Sequence, residues 1–143
     1  LKPVWKSRQV AMQRKVELMD SIIFSKIKYA VAPAWLSKKD LRRLDGFQAR
    51  CLRQAFGIAH SFRSRVSNQR VREIAGRQPL SQQIKDVQLK LLEKVLTVPS
   101  KKELRDATFL PQTDIPLTSA YVRKVGKPRH NWAEQLLKMR STL

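Results

Sequence analysis

The chain has 143 residues, with 30 lysines and arginines against 11 acidic residues and a formal net charge of +19, yet 42% of its residues are hydrophobic. That apolar fraction excludes a disordered basic tail, and the single cysteine excludes an internal disulfide or a cysteine-based zinc site. A compact domain with this excess of one sign repels itself, so the composition predicts a folded basic module that binds a polyanion.

The first half of the chain has the apolar spacing of two long helices. Three- and four-residue steps predict a first helix that Pro33 ends, with the apolar residues Met12, Val16, Met19, Ile23, Ile27 and Ala30. Ser37 and Asp40 have the spacing of a capping box, which begins a second helix that Gly57 ends. Its predicted core face consists of Leu41, Leu44, Phe47, Cys51, Leu52 and Ala55. We therefore interpret Cys51 as a small core residue rather than a nucleophile.

The second half continues with a loop, two helices and a less regular region. Residues 58–67 are predicted to be a loop, after which Ser67 caps a short helix that stops at Gly76. Pro79 begins a fourth helix, which Pro99 ends and whose apolar stripe is Leu80, Ile84, Val87, Leu91, Val95 and Val98. Three further prolines then predict extended chain, followed by a last short helix near Asn131 to Arg140.

These elements define the predicted fold class. No segment alternates apolar and polar residues at a period of two, so we expect no sheet. The sequence predicts an all-α fold: a small bundle of about four helices over residues 1–98, then a proline-punctuated basic extension over residues 99–143 that ends in a short helix.

The second helix carries its positive charges together. Five cations lie within about 100° of one another on the side opposite the predicted core face, and we call them the basic stripe: Lys39, Arg42, Arg43, Arg50 and Arg53. A solvated helix face usually mixes both signs of charge. The stripe therefore favours a phosphate-facing surface over an ordinary solvated face.

Two further basic clusters follow along the chain. The loop and short helix after the stripe add Arg63, Arg65, Arg70, Arg72 and Arg77, and the region after residue 117 adds Arg123, Lys124, Lys127 and Arg129. The planar fork of arginine suits bidentate contacts to phosphate and stacking on bases. Phe62 lies inside the arginine-rich loop, where it either stacks on an unpaired base or, the interpretation we favour, anchors the loop in the core.

The sequence contains no recognisable catalytic constellation. His60 and His130 lie far apart and have no patterned carboxylate or thiolate partner, and no glycine-rich phosphate loop is present. We expect no enzyme activity, metal, cofactor or small-molecule substrate. The longest uncharged apolar run, Tyr29 to Leu36, is far shorter than the roughly 20 residues of a membrane helix, so we expect no membrane partner.

The fourth helix has a second apolar stripe beside its main one. It consists of Leu89, Leu92 and Leu96. Burial on two sides inside the bundle is one explanation, and a groove for a neighbouring protein is the other.

Several segments, in order, resemble a known family. They are Trp35 to Arg53 with Cys51-Leu52-Arg53 and then Gly57-Ile58, Ser64-Arg65-Val66-Ser67-Asn68, Ile74-Ala75-Gly76, Pro79-Leu80-Ser81, Arg123-Lys124-Val125-Gly126-Lys127-Pro128-Arg129 and Asn131-Trp132. This order is similar to the region that follows the polymerase core in reverse transcriptases of non-long-terminal-repeat retrotransposons. The resemblance implies a helical thumb that packs on the template–primer duplex and supplies no catalytic residue.

Two departures from that family bear on function. The family's palm, with its metal-binding aspartates, has no counterpart in this chain. Its usual Gly-His-Val-x-Arg after the leucine-rich helix is here Glu93-Lys94-Val95-Leu96-Thr97, which fits reuse of the module in another setting.

The sequence therefore predicts a non-catalytic RNA-binding component of a ribonucleoprotein with protein neighbours. The setting we favour is a mitochondrial ribosome, with ribosomal RNA as the ligand, because a small, folded and very basic chain is typical of ribosomal proteins. One alternative is the thumb of an active reverse transcriptase, located in the nucleus or cytoplasm. Another is a DNA-binding or chromatin-associated module.

Overall fold

The structure is a computed structural model that describes residues 4–5, 7, 9–97, 102–117 and 131–141. Within these ranges the secondary structure is helical, and the only pairing of extended backbone is an isolated antiparallel bridge between Phe109 and Pro116. The predicted fold class, an all-α small helical bundle, is confirmed.

The first helix is continuous but not uniform. Helix α1 spans Met12–Met19, a π-helical turn spans Asp20–Phe24, and helix α2 spans Ser25–Val31. Val16 and Met19 are buried as the apolar spacing predicts, but the next buried residue is Phe24 rather than Ile23, and Met12 and Ala30 are exposed. The prediction of one long helix that ends before Pro33 is confirmed, and the π-helical turn is a local variation that the spacing does not reveal.

Helix α3 spans Lys38–Phe56 and is fixed at both ends by local chemistry. The Asp40 backbone N–H donates to the Ser37 hydroxyl at 3.2 Å, and the Ser37 backbone N–H donates to the Asp40 carboxylate at 3.3 Å. At the other end Gly57 has φ +66°, in the left-handed region that glycine adopts without a steric cost. The predicted capping box and glycine stop are both present.

The capping box makes part of the stability depend on pH. The hydrogen bond from the Ser37 hydroxyl holds the pKa of Asp40 below its usual value, against a smaller opposing effect of desolvation. Because the pKa is lower in the folded state, the stability that the carboxylate contributes is present at neutral pH and is lost as the pH falls through the lowered pKa. We expect Asp40→Asn to lower the melting temperature at pH 7, with a difference from the natural chain that closes under acid conditions.

The matched control for this prediction is Asp40→Asn in a Ser37→Ala background. Without the Ser37 hydroxyl, the charge of residue 40 should matter less to the melting temperature. A melting-temperature difference that is the same at every pH, or the same in both backgrounds, would contradict the assignment.

Shorter helices follow α3. Helix α4 spans Ser61–Ser64, so the prediction of residues 58–67 as a loop is wrong for this one turn. Helix α5 spans Asn68–Ala75; Ser67 caps it by accepting from the Arg70 backbone N–H at 3.1 Å, and Gly76 ends it with φ +61°. Helix α6 spans Leu80–Thr97.

The described residues divide into two compact units. The first contains the residues up to Val31 and Leu36–Ile84, and the second contains Ala32–Trp35 and the residues from Lys85 onward. The predicted division at residues 98 and 99 stays a prediction, since residues 98–101 lie outside the described ranges.

In the first unit a buried glutamine organises the core face of α3. Gln48 is fully buried; its amide donates to the Gln78 carbonyl at 3.0 Å and accepts from the Leu80 backbone N–H at 2.9 Å. One turn earlier, the Asp45 carboxylate accepts from the Ser81 backbone N–H at 2.8 Å. These bonds satisfy free N–H groups at the start of α6 and fix its first turn against α3.

The buried face of α3 is therefore rotated from the predicted one. Its buried residues are Gln48, Ala49, Leu52, Arg53 and Ala55. Cys51 is half-buried against the core and Phe47 is 39% exposed, although the Phe47 ring packs edge-to-face on Phe24 at 6.4 Å. Apolar spacing alone put Phe47 and Cys51 too near the centre because it could not anticipate two buried polar side chains.

The second unit has its own core. Leu92, Val95, Phe109, Ala133 and Leu136 form it, with Leu89 and Leu96 packed against them. Leu92 is only 1% exposed, so burial inside the fold rather than contact with a partner protein explains this residue, whereas Leu89 and Leu96 are half-buried and their contact with a partner stays a prediction.

The region after residue 99 also differs from the expectation. Helix α7 spans Lys102–Asp106, the Arg105 guanidinium donates to the Leu96 carbonyl at 2.7 Å, and helix α8 spans Trp132–Arg140 with Asn131 as its cap. Extended chain was the wrong prediction for residues 102–106. The terminal helix is where the sequence placed it.

Candidate nucleic-acid interface

Four members of the basic stripe are exposed along α3. They are Lys39, Arg42, Arg43 and Arg50. Among the described residues, the one ion pair of this group joins Arg43 to Asp40 at 3.9 Å, with side chains 71% and 45% exposed. An exposed pair with this geometry contributes little and is easily exchanged for another partner. The exposed stripe is thus a row of cations that the protein itself barely neutralises.

Arg53, the fifth member of the stripe, is a structural residue. It is 6% exposed, and its guanidinium makes five hydrogen bonds. Nη1 donates to the Ala59 carbonyl at 2.9 Å and to the Ser64 hydroxyl at 3.3 Å. Nη2 donates to the Val66 carbonyl and, at 3.1 Å, to the Asn68 amide oxygen, which also accepts from Nε at 3.4 Å. All five N–H groups are used. The prediction that Arg53 contacts RNA is therefore wrong, because the chain beyond Gly57 folds back over this side chain.

The arginine-rich cluster separates into free and paired members. Arg63 and Arg65 are exposed, and Arg72 is half-buried; none of the three has an acidic partner in the described part of the chain. Arg70 pairs with Glu73 at 3.1 Å on the exposed face of α5, and this hydrogen bond lowers the pKa of Glu73.

Arg77 is held inside the first unit. Its guanidinium pairs with Asp20 in the π-helical turn, and the two side chains are 29% and 24% exposed. The pair joins the first helix to the turn after α5 and offsets the charge of Arg77. We therefore remove Arg77 from the set of phosphate contacts that the sequence predicted.

Arg65 has an unusual backbone conformation. Its φ of +54° lies in the left-handed region, where a side chain with a Cβ is strained, by roughly 1–2 kcal/mol. The strained residue presents its charge at the C-terminal end of α4, beside Arg63. Of the two exposed arginines without an acidic partner in this loop, Arg65 is therefore the one with a strained backbone.

Phe62 does not anchor the loop. Its side chain is 79% exposed and stacks on the His60 ring, with 6.1 Å between centroids and 12° between planes. The interpretation that we favoured from the sequence is wrong, since the last turn of α3 contacts the loop through Arg53 rather than through an aromatic ring. The other interpretation, a surface for an unpaired base, fits the exposure.

A cleft of about 570 Å³ lies between α3 and residues 58–61. Gly46, Arg50 and Gln54 line it from the helix, with Arg53 at its wall, and His60 and Asn68 line it from the other side. We call it the α3 cleft. No acidic residue lines it, so the cleft is suited to an anion.

Sequence reasoning missed the cleft because residues from three elements form it. Gly46 is the one local signal: a glycine inside a helix costs roughly 1 kcal/mol relative to alanine. The sequence alone does not explain why the helix contains this unfavourable residue.

The tail cluster lies outside this description. Arg123, Lys124, Lys127 and Arg129 are not among the described residues, and their contact with RNA stays a prediction. The α3 cysteine carries no sign of reactivity, because burial raises the pKa of the Cys51 thiol against the opposing charge of Arg50.

Fold and charge together define an all-α basic module whose first unit presents an acid-poor helix face. Comparison with protein-family models, with curated protein sequences and with solved structures finds no match for this chain. In the described ranges no cluster of three metal-binding side chains occurs, and no helix has the length and apolarity needed to cross a membrane.

Proposed function

We propose that this chain is a non-catalytic RNA-binding component of a ribonucleoprotein. The observation that carries the proposal is the exposed stripe of α3, where Lys39, Arg42, Arg43 and Arg50 face solvent with Asp40 as their one ion-pair partner among the described residues. Such a row can bind a phosphate backbone, because its cations replace the condensed counterions and the release of those counterions favours binding. The free cations Arg63 and Arg65 extend this set beyond the helix.

RNA is favoured over duplex DNA because of the exposed aromatic pair. The Phe62 ring, stacked on His60, offers a flat apolar surface beside the cations. RNA presents unstacked bases in loops and bulges, and such bases bind aromatic rings. The bases of a DNA duplex are stacked on one another and offer no free face.

For the setting we propose a mitochondrial ribosome, with ribosomal RNA as the ligand. The net charge of +19 on a chain with a formed core supports a permanent place in an RNA-rich assembly. The resemblance to a reverse-transcriptase thumb supports a module that packs on nucleic acid. A pull-down at moderate salt tests the setting, because recovery of the protein without ribosomal proteins would count against it.

The second candidate is the thumb of an active reverse transcriptase. One observation favours it: residues 64–68, which resemble the family, contribute acceptors from Ser64, Val66 and Asn68 to Arg53. The part of the chain that resembles the family is thus the part that orders the loop beside the stripe. Such a thumb would prefer an RNA–DNA hybrid duplex to folded RNA.

Salt-dependent binding of the full chain distinguishes these functions. We expect a folded ribosomal RNA fragment to bind more tightly than duplex DNA or an RNA–DNA hybrid at the same salt concentration. Contacts from the six exposed cations Lys39, Arg42, Arg43, Arg50, Arg63 and Arg65 would give a logarithmic salt slope of about −4, measured by fluorescence anisotropy. Tightest binding to duplex DNA, or no RNA binding, would refute the proposal, and tightest binding to the hybrid would support the thumb.

A further inference from the structure

Gly46 has no explanation inside the protein. It lies in the middle of the 19-residue helix α3, and, apart from its two chain neighbours and the adjacent backbone of the same helix, no atom of the described residues lies within 4 Å of the position that a Cβ would occupy. Neither crowding nor a left-handed backbone therefore requires glycine at this position. Glycine is less favourable than alanine in a helix interior, so the residue weakens α3 with no gain in the fold.

The space beside Gly46 is the α3 cleft. Gly46 and Arg50 are one turn apart and line the same wall, where the Arg50 side chain has no acidic partner among the described residues. Glycine in a helix also permits another molecule to approach the backbone closely. Gly46, which has no side chain, thus lies beside Arg50, a cation that has no acidic partner among the described residues and can bind an anion.

Arg53 adds charge to the cleft without adding a free donor. Its acceptors are two carbonyl groups, a hydroxyl and an amide oxygen, all neutral. The positive charge of Arg53 is therefore offset by dipoles but not neutralised, and it raises the potential in the cleft. An anion in the cleft would gain from this charge while Arg50 supplies the direct hydrogen bonds.

We infer that the α3 cleft binds one unpaired nucleotide of the RNA, an inference that rests on the proposed function. The phosphate lies against Arg50 and the bare backbone of Gly46. The base stacks on Phe62, whose ring is 79% exposed and packs on the cleft residue His60. The cleft volume of about 570 Å³ is within the range of small-ligand sites.

The decisive variant is Gly46→Ala in the full chain. The new methyl group should raise the melting temperature by about 3 °C, because alanine favours the helix. It should also lower the affinity for a ten-nucleotide single-stranded RNA by at least about fivefold, because the phosphate can no longer approach the helix. A variant that is both more stable and weaker in binding is expected only if the cleft has an external occupant.

Phe62→Ala tests the base. Loss of one stacked base should weaken single-strand binding by about 5-fold to 150-fold and leave the blunt duplex of the same strand with its complement unaffected. The matched control is Tyr29→Ala, which removes a similarly exposed aromatic ring that, unlike Phe62, does not neighbour the residues of the cleft in sequence, and it should change neither affinity.

The possible results separate this inference from the proposed function. If the natural chain binds neither the folded RNA fragment nor the ten-nucleotide strand, the proposed function and the cleft assignment both fail. If it binds RNA but Gly46→Ala and Phe62→Ala bind as well as the natural chain, the cleft assignment alone is overturned. Gly46→Ala with a lower melting temperature would also overturn it, because the space beside the helix would then not be open.

Discussion

Replacing Arg53 with methionine should lower the free energy of unfolding by about 2–5 kcal/mol, the largest stability effect that we expect from a single substitution of a charged residue. The change leaves the half-buried Val66 carbonyl without its donor and removes one of the two donors of the Ala59 carbonyl, which keeps the Ser64 hydroxyl; a polar group left unsatisfied costs about 1–3 kcal/mol. Asn68 and Ser64 lose a partner as well. Lysine cannot restore the fold fully, because its three donors lack the planar fork that reaches all four acceptors.

The matched control is Arg50→Met, one turn earlier on the same helix. Arg50 is exposed and has no ion pair among the described residues, so its replacement should change the free energy of unfolding by no more than about 0.5 kcal/mol. Urea unfolding followed by helical circular dichroism measures both variants. Equal stabilities would show that the hydrogen bonds of Arg53 do not hold the loop.

The largest effect on binding should come from neutralising the exposed stripe. Changing Lys39, Arg42, Arg43 and Arg50 to glutamine removes the four phosphate contacts that we propose, which should weaken RNA binding on the order of 100-fold near physiological salt. The salt slope should become less steep by about 3. Stability should stay the same or rise, because the variant relieves repulsion between like charges.

A second set of four substitutions controls for net charge. Lys26, Lys90, Lys94 and Lys102 are exposed and lie outside the proposed interface, so changing them to glutamine removes the same charge elsewhere. We expect this control to weaken RNA binding much less and to change the salt slope by less than about 1. Equal losses in the two sets would mean that total charge, not the α3 surface, determines binding.

Local chemistry made the helix ends predictable. Ser37 with Asp40 and Ser67 cap helices where the sequence placed them, and Gly57 and Gly76 end helices as expected. Each of these signals depends on residues within a few positions of one another. Such interactions are the same in almost any tertiary context, so a sequence pattern captures them.

The orientation of α3 was less predictable because distant residues determine it. Gln48 is buried since Gln78 and Leu80, about thirty positions later, supply its hydrogen-bond partners. The helical wheel put Arg53 with the exposed cations, yet the loop after Gly57 covers it. Periodicity identifies the face of a helix only to the extent that polar residues stay in water.

In the candidate site too, features set by nearby residues were predictable and features set by distant residues were not. The exposed cations of α3 were correctly grouped from their spacing, whereas the α3 cleft was not foreseen and the interpretation favoured for Phe62, burial in the core, was wrong. A surface of one helix depends on the helix alone. A cleft depends on how a loop returns to that helix, and sequence spacing contains no direct record of that path.

We expect Arg50 and Arg53, which lie one turn apart on α3, to be subject to different selection. Arg53 is required by the fold whatever the protein binds, because its acceptors belong to the same chain. Arg50 has no ion pair within the described structure, so only a partner could preserve it. If the proposed RNA ligand were lost in a lineage, we expect that Arg50 and Gly46 would be free to drift while Arg53 stayed fixed. Retention of arginine at position 53 alone would therefore record the survival of the fold, not of the function.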